Sequence, residues 1–417
     1  MASDDFDAIV AARAVYPVFQ PVVSLNDGRP VGFEALARGP DGSRYHSPTA
    51  LFAEAARRGM TIDLDWICGV AACAQVLDLG LRHVPLFLNV NPSSLGTACP
   101  ADLQPTYRRA LRELNLVLEI TERRGGDPAS ILHAVAAFRQ QGRRIAIDDV
   151  GVDPFSLNMI SVLAPDVIKI DRSITQGIEP SWARTYVLNS VKVEAQTTGA
   201  ALLCEGIETT EHLDAARAMG ATLGQGWLFG RPGKLPTTVD LSPDPLPLVT
   251  PYPESAATPF AAIRGRAQTL PMSQHMLVPL CALLEDMALH TDAVRILFAA
   301  VSKTTPFDDR AWKTYNHIAQ RGVGVAVFGR EPLAPLGADV HIVPLPDTDP
   351  LLDECALIAV GSHFAAAMLA RHVEAGRADG EEQLYDAVLT YDRRIVIEAL
   401  HALMSRVTSL PPEAPQL

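Results

Sequence analysis

Residues 143–157 read RRIAIDDVGVDPFSL. A short apolar run, Ile145–Ala146–Ile147, leads into two adjacent aspartates, Asp148 and Asp149, and then into Gly151, Asp153 and Pro154, which turn the chain. A run this short, bounded by turn residues, reads as a strand. Neighbouring carboxylates repel, and adjacent side chains of a strand point to opposite faces. Both aspartates can serve one place only where the strand ends and the backbone turns.

The same arrangement recurs on either side. PVFQPVVSL (17–25) and PVGFEALAR (30–38) are strand-like and flank NDGRP, a hairpin signal. SPTALFAEAARRG and LDWICGVAACAQVLDLG then read as helices, followed by PLFLNV (85–90) as a strand. Helix and strand alternate through DLQPTYRRALRELN and LVLEIT, DPASILHAVAAFRQQG and RIAIDDV, a short helix near 155–163 and DVIKID. They continue through ARTYVLNSVKVEAQTTG and ALLCEGI to TTEHLDAARAMG and TLGQGWLFG. About eight strands alternating with helices define an α/β barrel or a doubly wound sheet. Asn89, Glu119, Asp148, Asp149, Lys169, Glu205 and Gln225 fall at or near the C-terminal ends of these strands. A closed barrel brings such ends to one mouth, whereas an open sheet spreads them along an edge. We therefore expect a modified TIM (β/α)8 barrel over residues 1–240, with its core at about 15–238.

The proline-dense stretch 241–259, LSPDPLPLVTPYPESAATP, reads as a semi-rigid linker. Beyond it, RILFAAV, GVGVAVFG, DVHIVPL and ECALIAVGS alternate with helical stretches such as SQHMLVPLCALLEDMALH, giving a second, smaller α/β domain over 260–417.

Composition narrows the function classes. The chain has 417 residues, 48% hydrophobic and 20% charged, a globular balance. A net charge of −13 disfavours a nucleic-acid polymer as partner. No apolar run has the length of a membrane span, and the acidic start MASDDFDAIVAARAVYP is unlike a signal peptide, so a cytoplasmic location is expected. Six cysteines without a C-x-x-C pair argue against a zinc ribbon or a disulfide scaffold.

A mouth lined by Glu34, Asn89, Glu119, Asp148, Asp149 and Glu205 holds five carboxylates and an amide. Without a cation, several of these acids must take up protons. Mg2+ or Mn2+, which prefer oxygen ligands, resolve the repulsion, and two such ions sharing a carboxylate form a common phosphodiester-cleaving arrangement. Lys169 would then orient the attacking water or stabilise developing negative charge. Taken singly, each acid reads as a solvated residue or a helix cap, Lys169 as an edge lysine and Gln225 as part of a turn. Their recurrence at successive strand ends favours a shared site.

FEALAR (33–38), NVNP (89–92), EITER (119–123), IDDVG (147–151), DVIKID (166–171), CEGIET (204–209) and GQGWLFGRP (224–232) resemble the EAL domain. That family opens cyclic di-GMP to linear pGpG on a modified TIM barrel. The resemblance implies Glu34, Asn89, Glu119, Asp148, Asp149 and Glu205 as metal ligands and their immediate partners, with Asn91 the alternative to Asn89. It implies Lys169 as the lysine that positions the hydrolytic water, Glu205 also as a general base, and Gln225 as the amide of the site. Arg38 resembles the arginine that meets a ligand phosphate; Gln20, Leu36, Asp65 and Gln225 fall where the nucleotide binds. Glu122 resembles the acid that holds the loop after the aspartate pair. The implied cofactors are two Mg2+ or Mn2+ ions, and the implied partners are cyclic di-GMP and a second copy of the chain through this domain.

The family's aromatic residue after the aspartates and its Thr-Gly-Tyr-Ser-like run are replaced here by Val150 and GVDPFSL, in a loop linked to dimer contacts and metal-site coupling. This departure motivates an alternative, a catalytically silent cyclic di-GMP receptor. A third reading is a related barrel hydrolase acting on another phosphodiester. TPF (258–260), LPDTDPLLDECALIAVGSHFAAAMLA (345–370) and LTYDRRIVIEAL (389–400) resemble the DICT domain, a sensory module often joined to cyclic di-GMP enzymes; packing or dimerisation is the plainer role for it. No cyclase motif is present, so degradation without synthesis is expected.

Overall fold

The computed structural model describes residues 5–91, 94, 97–120, 135, 137–139, 141–151, 160, 163–177, 182–249, 256–291, 294–303, 309–330, 340–361, 364–373 and 384–406. The chain divides into two compact units, one over Met1–Val249 and one over Thr250–Ser409.

In the first unit eight strands close into a barrel: β1 (Tyr16–Ser24), β2 (Pro30–Arg38), β3 (Leu86–Val90), β4 (Leu116–Ile120), β5 (Arg144–Val150), β6 (Val167–Ile170), β7 (Ala201–Cys204) and β8 (Leu223–Gly224). β1 runs antiparallel to both β2 and β8, and the remaining neighbours are parallel. The hairpin expected from NDGRP is thus what makes this a modified rather than an all-parallel barrel. TLGQGWLFG forms only the two-residue strand β8, beyond which Gly226 packs closely against the Ile207 backbone.

The interior is built in layers. Val22, Val31, Phe87, Val117, Ala146, Val167, Leu203 and Leu223, one from each strand, form a buried cluster with Leu246. Side chains two apart on a strand share a face. Two residues beyond the plug lie Asn89, Glu119, Asp148, Lys169, Glu205 and Gln225, and in the antiparallel β1 Gln20 lies two residues before Val22. The polar layer is therefore a consequence of period two, one step above an apolar floor. Glu34 reaches this layer from mid-strand rather than from a strand end, since β2 continues to Arg38 against β1. Two residues before it, Gly32 leaves room for the Phe87 ring; a Cβ there would lie 2.9 Å from Phe87 and 2.7 Å from the Pro85 carbonyl.

Residues 242–249, read in the sequence as the start of a linker, belong to the barrel. Ser242 N donates to the Pro30 carbonyl, Arg144 donates to the carbonyls of Leu246 and Pro247, and Val249 N donates to the buried Asp166. Leu246 completes the apolar floor, so the prolines hold an extended strap whose carbonyls are bonded by barrel side chains.

The second unit is a seven-stranded sheet. Its members in chain order are β9 (Leu270–Ser273), β10 (Ile296–Ala300), β11 (Gly324–Gly329), β12 (Val340–Pro344), β13 (Glu354–Val360), β14 (Ala365–His372) and β15 (Leu384–Thr390). Their spatial order is β12-β11-β10-β13-β14-β15-β9, parallel among the first three and antiparallel thereafter. Helices Gln274–His290 and Asp309–Gln320 contribute Leu277, Leu284, Tyr315 and Ile318 to a core with Leu297, Val327 and Leu357. The C-terminal helix Arg393–Met404 packs on β10, β13 and β14. No described helix is long and apolar enough to cross a membrane.

Candidate functional site

Lys169, fully buried on β6, is the centre of the polar layer. Its Nζ lies 2.8 Å from Glu119 Oε1, 2.9 Å from Glu205 Oε1, 3.1 Å from Asp148 Oδ1 and 3.4 Å from Glu34 Oε2. Four strands thus supply carboxylates to one ammonium. Glu34 is held by amides as well: Asn89 Nδ2 donates to Oε1 at 2.6 Å and Gln225 Nε2 to Oε2 at 2.7 Å. Gln20 sits behind Gln225, accepting from its Nε2 at 3.3 Å and donating to the Gly230 carbonyl at 3.1 Å.

Asp149 joins the site through a β-bulge. The β5–β6 register shifts between Ile147 and Val150, and Asp149 adopts φ 55°, a left-handed conformation that costs a non-glycine residue about 1 kcal/mol or more. Its N–H donates to Asp148 Oδ1 at 2.9 Å. The bulge re-aims Asp149, which would otherwise point outward. Two triads result, Glu34–Glu119–Asp148 and Asp148–Asp149–Glu205, each with its ligand oxygens within 4.8 Å of one another, and Asp148 belongs to both.

One lysine does not balance the charge of these acids, and burial and mutual repulsion, set against Lys169 and hydrogen bonds, shift their carboxyls in opposite directions. Burial, reinforced by the charges of Glu34 and Asp148, pushes the Glu119 carboxyl well above the usual range despite Lys169. Burial also pushes Glu205 up to about 8, with Lys169 opposing and Asp148 and Glu34 adding to the rise. Glu34 goes the other way: burial would raise it, but Lys169 and the hydrogen bonds from Gln225 and Asn89 outweigh that and hold it low. For Lys169 burial favours the neutral amine, and the surrounding carboxylates overcome it and keep the ammonium.

The donor set fits a pair of hard divalent cations. Every ligand atom is oxygen, Asp148 can bridge, and Glu119 Oε2 and Gln225 Oε1 are buried without a hydrogen-bond partner among the described residues. A buried carboxylate oxygen left unbonded is costly, and a cation would satisfy it.

A cleft of about 260 Å3 opens beside the acids, between the top of β2, the strand β3 and the helices Pro48–Arg58 and Thr61–Asp78. Leu36 and Phe52 wall it, and Asp65, Asn89 and Asn91 line it. Asp65 accepts from the Asn91 N–H at 3.1 Å, so it fixes the end of β3 as well as facing the cleft. Asn89 contacts the acid cluster, whereas Asn91 faces the cleft. Arg38 ends β2, with Nη1 donating to the Ala37 carbonyl at 2.7 Å. Glu122 lies outside the described residues, as do positions 152–159 of the divergent loop.

The sequence reading missed Phe52 and the Cys68–Gly69 face of the second helix; the small residue at 69 where apolar periodicity favours a large one was the available signal. It also missed the support beneath Gln225. Gly226 has φ 158°, and a Cβ there would lie 2.1 Å from the Ile207 carbonyl oxygen. Only glycine lets Ile207 N–H reach the Gln225 carbonyl and Leu228 N–H reach that of Ile207.

A closed barrel with a carboxylate-rich mouth built around one lysine defines the class as a TIM-like scaffold whose mouth could hold divalent cations on oxygen ligands. A model of the EAL domain matches residues 4–232, more than half of the chain, and the chain belongs to the EAL-domain family. It is similar to the probable cyclic di-GMP phosphodiesterase PdeB of Escherichia coli, 29% identical over 224 residues, covering 51% of this chain and 42% of that protein. It is also similar to the cyclic di-GMP phosphodiesterase RocR of Pseudomonas aeruginosa, 31% identical over 224 residues, covering 51% of this chain and 56% of that one. Among solved structures, the manganese/cyclic di-GMP complex of Klebsiella pneumoniae BlrP1 aligns at 27% identity with TM-score 0.45, covering 53% of this chain and 56% of that one. The chain therefore spans about half the length of these relatives.

Proposed function

We propose that the barrel is a metal-dependent phosphodiesterase that opens cyclic di-GMP to linear pGpG. The observation that carries this reading is the pair of acid triads sharing Asp148. Glu34, Glu119 and Asp148 would hold one Mg2+ or Mn2+ ion, Asp148, Asp149 and Glu205 the other, with the Asn89 amide alongside. When bound, the ions make water nucleophilic near neutral pH and neutralise charge on the phosphodiester.

The chain's own residues do the rest. Lys169 donates hydrogen bonds from the floor of the site and orients the water aimed at phosphorus. The Lys169–Glu34–Gln225 contacts keep these groups in one geometry before substrate arrives, and Gln20 braces Gln225. Glu205 is raised to about 8 in the ion-free protein, so a bound ion would displace its proton and leave the carboxylate form that a general base requires. Water adds to phosphorus, the bond from phosphorus to the ribose 3′ oxygen breaks, and that oxygen takes up a proton, which leaves a 5′-phosphorylated linear dinucleotide. The cleft walled by Leu36 and Phe52, with Asp65 and Asn91 at its edge, receives one guanosine half, and Arg38 meets a phosphate.

The second unit is read as a regulatory module, from its resemblance to DICT domains. Incubating the protein with cyclic di-GMP and Mn2+ or Mg2+ and resolving pGpG by chromatography tests the activity; tight binding without turnover would leave a receptor. The same assay on a chain ending at Val249 reads whether the second unit sets the rate.

A further inference from the structure

The core of the second unit is incomplete at one place. Between its sheet and the helices Gln274–His290 and Asp309–Gln320 lies a cavity of about 130 Å3, roofed by Leu277, Cys281 and Tyr315. On the sheet face turned to these helices its floor includes Ala299 of β10 and Ala370 of β14, beside Leu357 and Met368. Two small side chains on that face leave this volume open. The hollow is half open to its surroundings, and one larger side chain on this floor would close it.

The cavity lies where the carboxyl end of β10, Ala299 and Ala300 followed by Val301, meets the start of the antiparallel β13 at Cys355 and Ala356.

We propose that this cavity is a binding site for a small uncharged molecule with about the volume of one aromatic ring. A cavity of about 150 Å3 with apolar walls accepts benzene. Among the described residues no Asp, Glu, Lys, Arg or His lines the cavity, so a charged ligand would be left unpaired by them. The Cys281 thiol, pushed up to about 12 by burial with Glu285 and Cys355 nearby, stays neutral and is no ready metal ligand. Tyr315, hydrogen-bonded to Glu285, gives the cavity one polar edge, suited to a ligand hydroxyl. Pro279 lies in the roofing helix between Leu277 and Cys281 and interrupts its hydrogen-bond ladder, so this turn is the one most easily displaced to admit a ligand.

The site is tested on the full chain without nucleotide, which separates it from the activity of the barrel. Fluorobenzene, phenol and benzoate serve as probes, read by fluorine NMR for the first and by competition against it for the others. Saturable binding of fluorobenzene, competed by phenol and at least tenfold less well by benzoate, is expected. Ala299→Leu and Ala370→Leu should each abolish binding while keeping a cooperative thermal transition, and Ala299→Ser should retain it. Should either leucine variant fail to fold, the other, or Met368→Phe, carries the test. Non-saturable partitioning that the filling variants leave unchanged would overturn the proposal, as would benzoate binding as tightly as fluorobenzene.

Discussion

Mn2+ binding should report the protonation of Glu205. Burial pushes this carboxyl up to about 8, above the range Mn2+ can use without displacing a proton. At pH 7 only about one tenth of the ion-free protein has Glu205 ionised, so the apparent affinity is about tenfold weaker than above pH 9, equivalent to about 1.4 kcal/mol. Between pH 6 and pH 8 log Kd should fall by about one per pH unit, more steeply where the proton on Glu119 is displaced as well, and then level off. Isothermal titration in two buffers of different ionisation enthalpy measures the protons released directly, about one per Glu205 at pH 7. Glu205→Gln, which keeps the shape of the protonated acid, should bind Mn2+ weakly at every pH with a shallower slope. A wild-type Kd that is flat from pH 6 to pH 8, or titration with no proton release, would refute both the raised carboxyl and its place in the metal site.

Four further outcomes are expected. Glu34→Ala or Asp148→Ala should abolish pGpG formation, read by chromatography, while circular dichroism shows the barrel intact; near-normal turnover in either would remove it from the metal site. Lys169→Met should destabilise the ion-free protein by about 3–5 kcal/mol in urea, because four carboxylates lose their cation, with millimolar Mn2+ restoring much of the loss. Ion-free wild type should lose stability as pH rises from about 5 to 8: the folded carboxyl of Glu205 holds its proton where the unfolded one does not, so the contribution is complete below the unfolded value and gone above the folded one. The loss, read as a falling urea midpoint, should be about 2–4 kcal/mol, less than the full shift allows, since the side chain is 20% exposed. Gly226→Ala should cost about 2 kcal/mol or more in the same assay and lower turnover, because its Cβ would meet the Ile207 backbone that positions Gln225.

Closure of the barrel and the identity of its mouth were legible because period two does most of the work. On β3 to β8 each polar residue follows an apolar one by two positions, so the pattern Ala146–Asp148, Val167–Lys169 and Leu203–Glu205 places both layers there. Other features depended on contacts that pattern does not encode. The strap at 242–249 has the composition of a linker, and only the Arg144 and Asp166 partners across the barrel make it part of the fold. Strand β14, with Ala365–Ala366–Ala367 at its start, carries an intrinsic helix preference that pairing with β13 and β15 overrides. Asp149 is a similar case: the sequence requires a turn at the aspartate pair, but the left-handed residue and the bulge arise from pairing with β6.

That bulge and the strap meet on the same two strands. Arg144 opens β5 and Asp166 immediately precedes β6; both hold the strap, Arg144 through the carbonyls of Leu246 and Pro247 and Asp166 through the Val249 N–H, while its other oxygen accepts from the Ile145 N–H of β5. The far ends of these strands carry Asp148, Asp149 and Lys169. A bulge is free to slip unless the strands on either side of it are fixed, and slipping by one residue would return Asp149 to the outer face. Asp166→Asn keeps one acceptor but loses the charge facing Arg139, whereas Asp166→Ala leaves two buried N–H groups unbonded, costing about 2–4 kcal/mol. If the strap holds the bulge in register, Asp166→Ala should weaken Mn2+ binding along with stability, while Leu118→Ala, on β4 away from the strap, should lower stability by a similar amount and leave Mn2+ affinity nearly unchanged. Equal losses of affinity in the two variants would mean that the strap contributes stability alone.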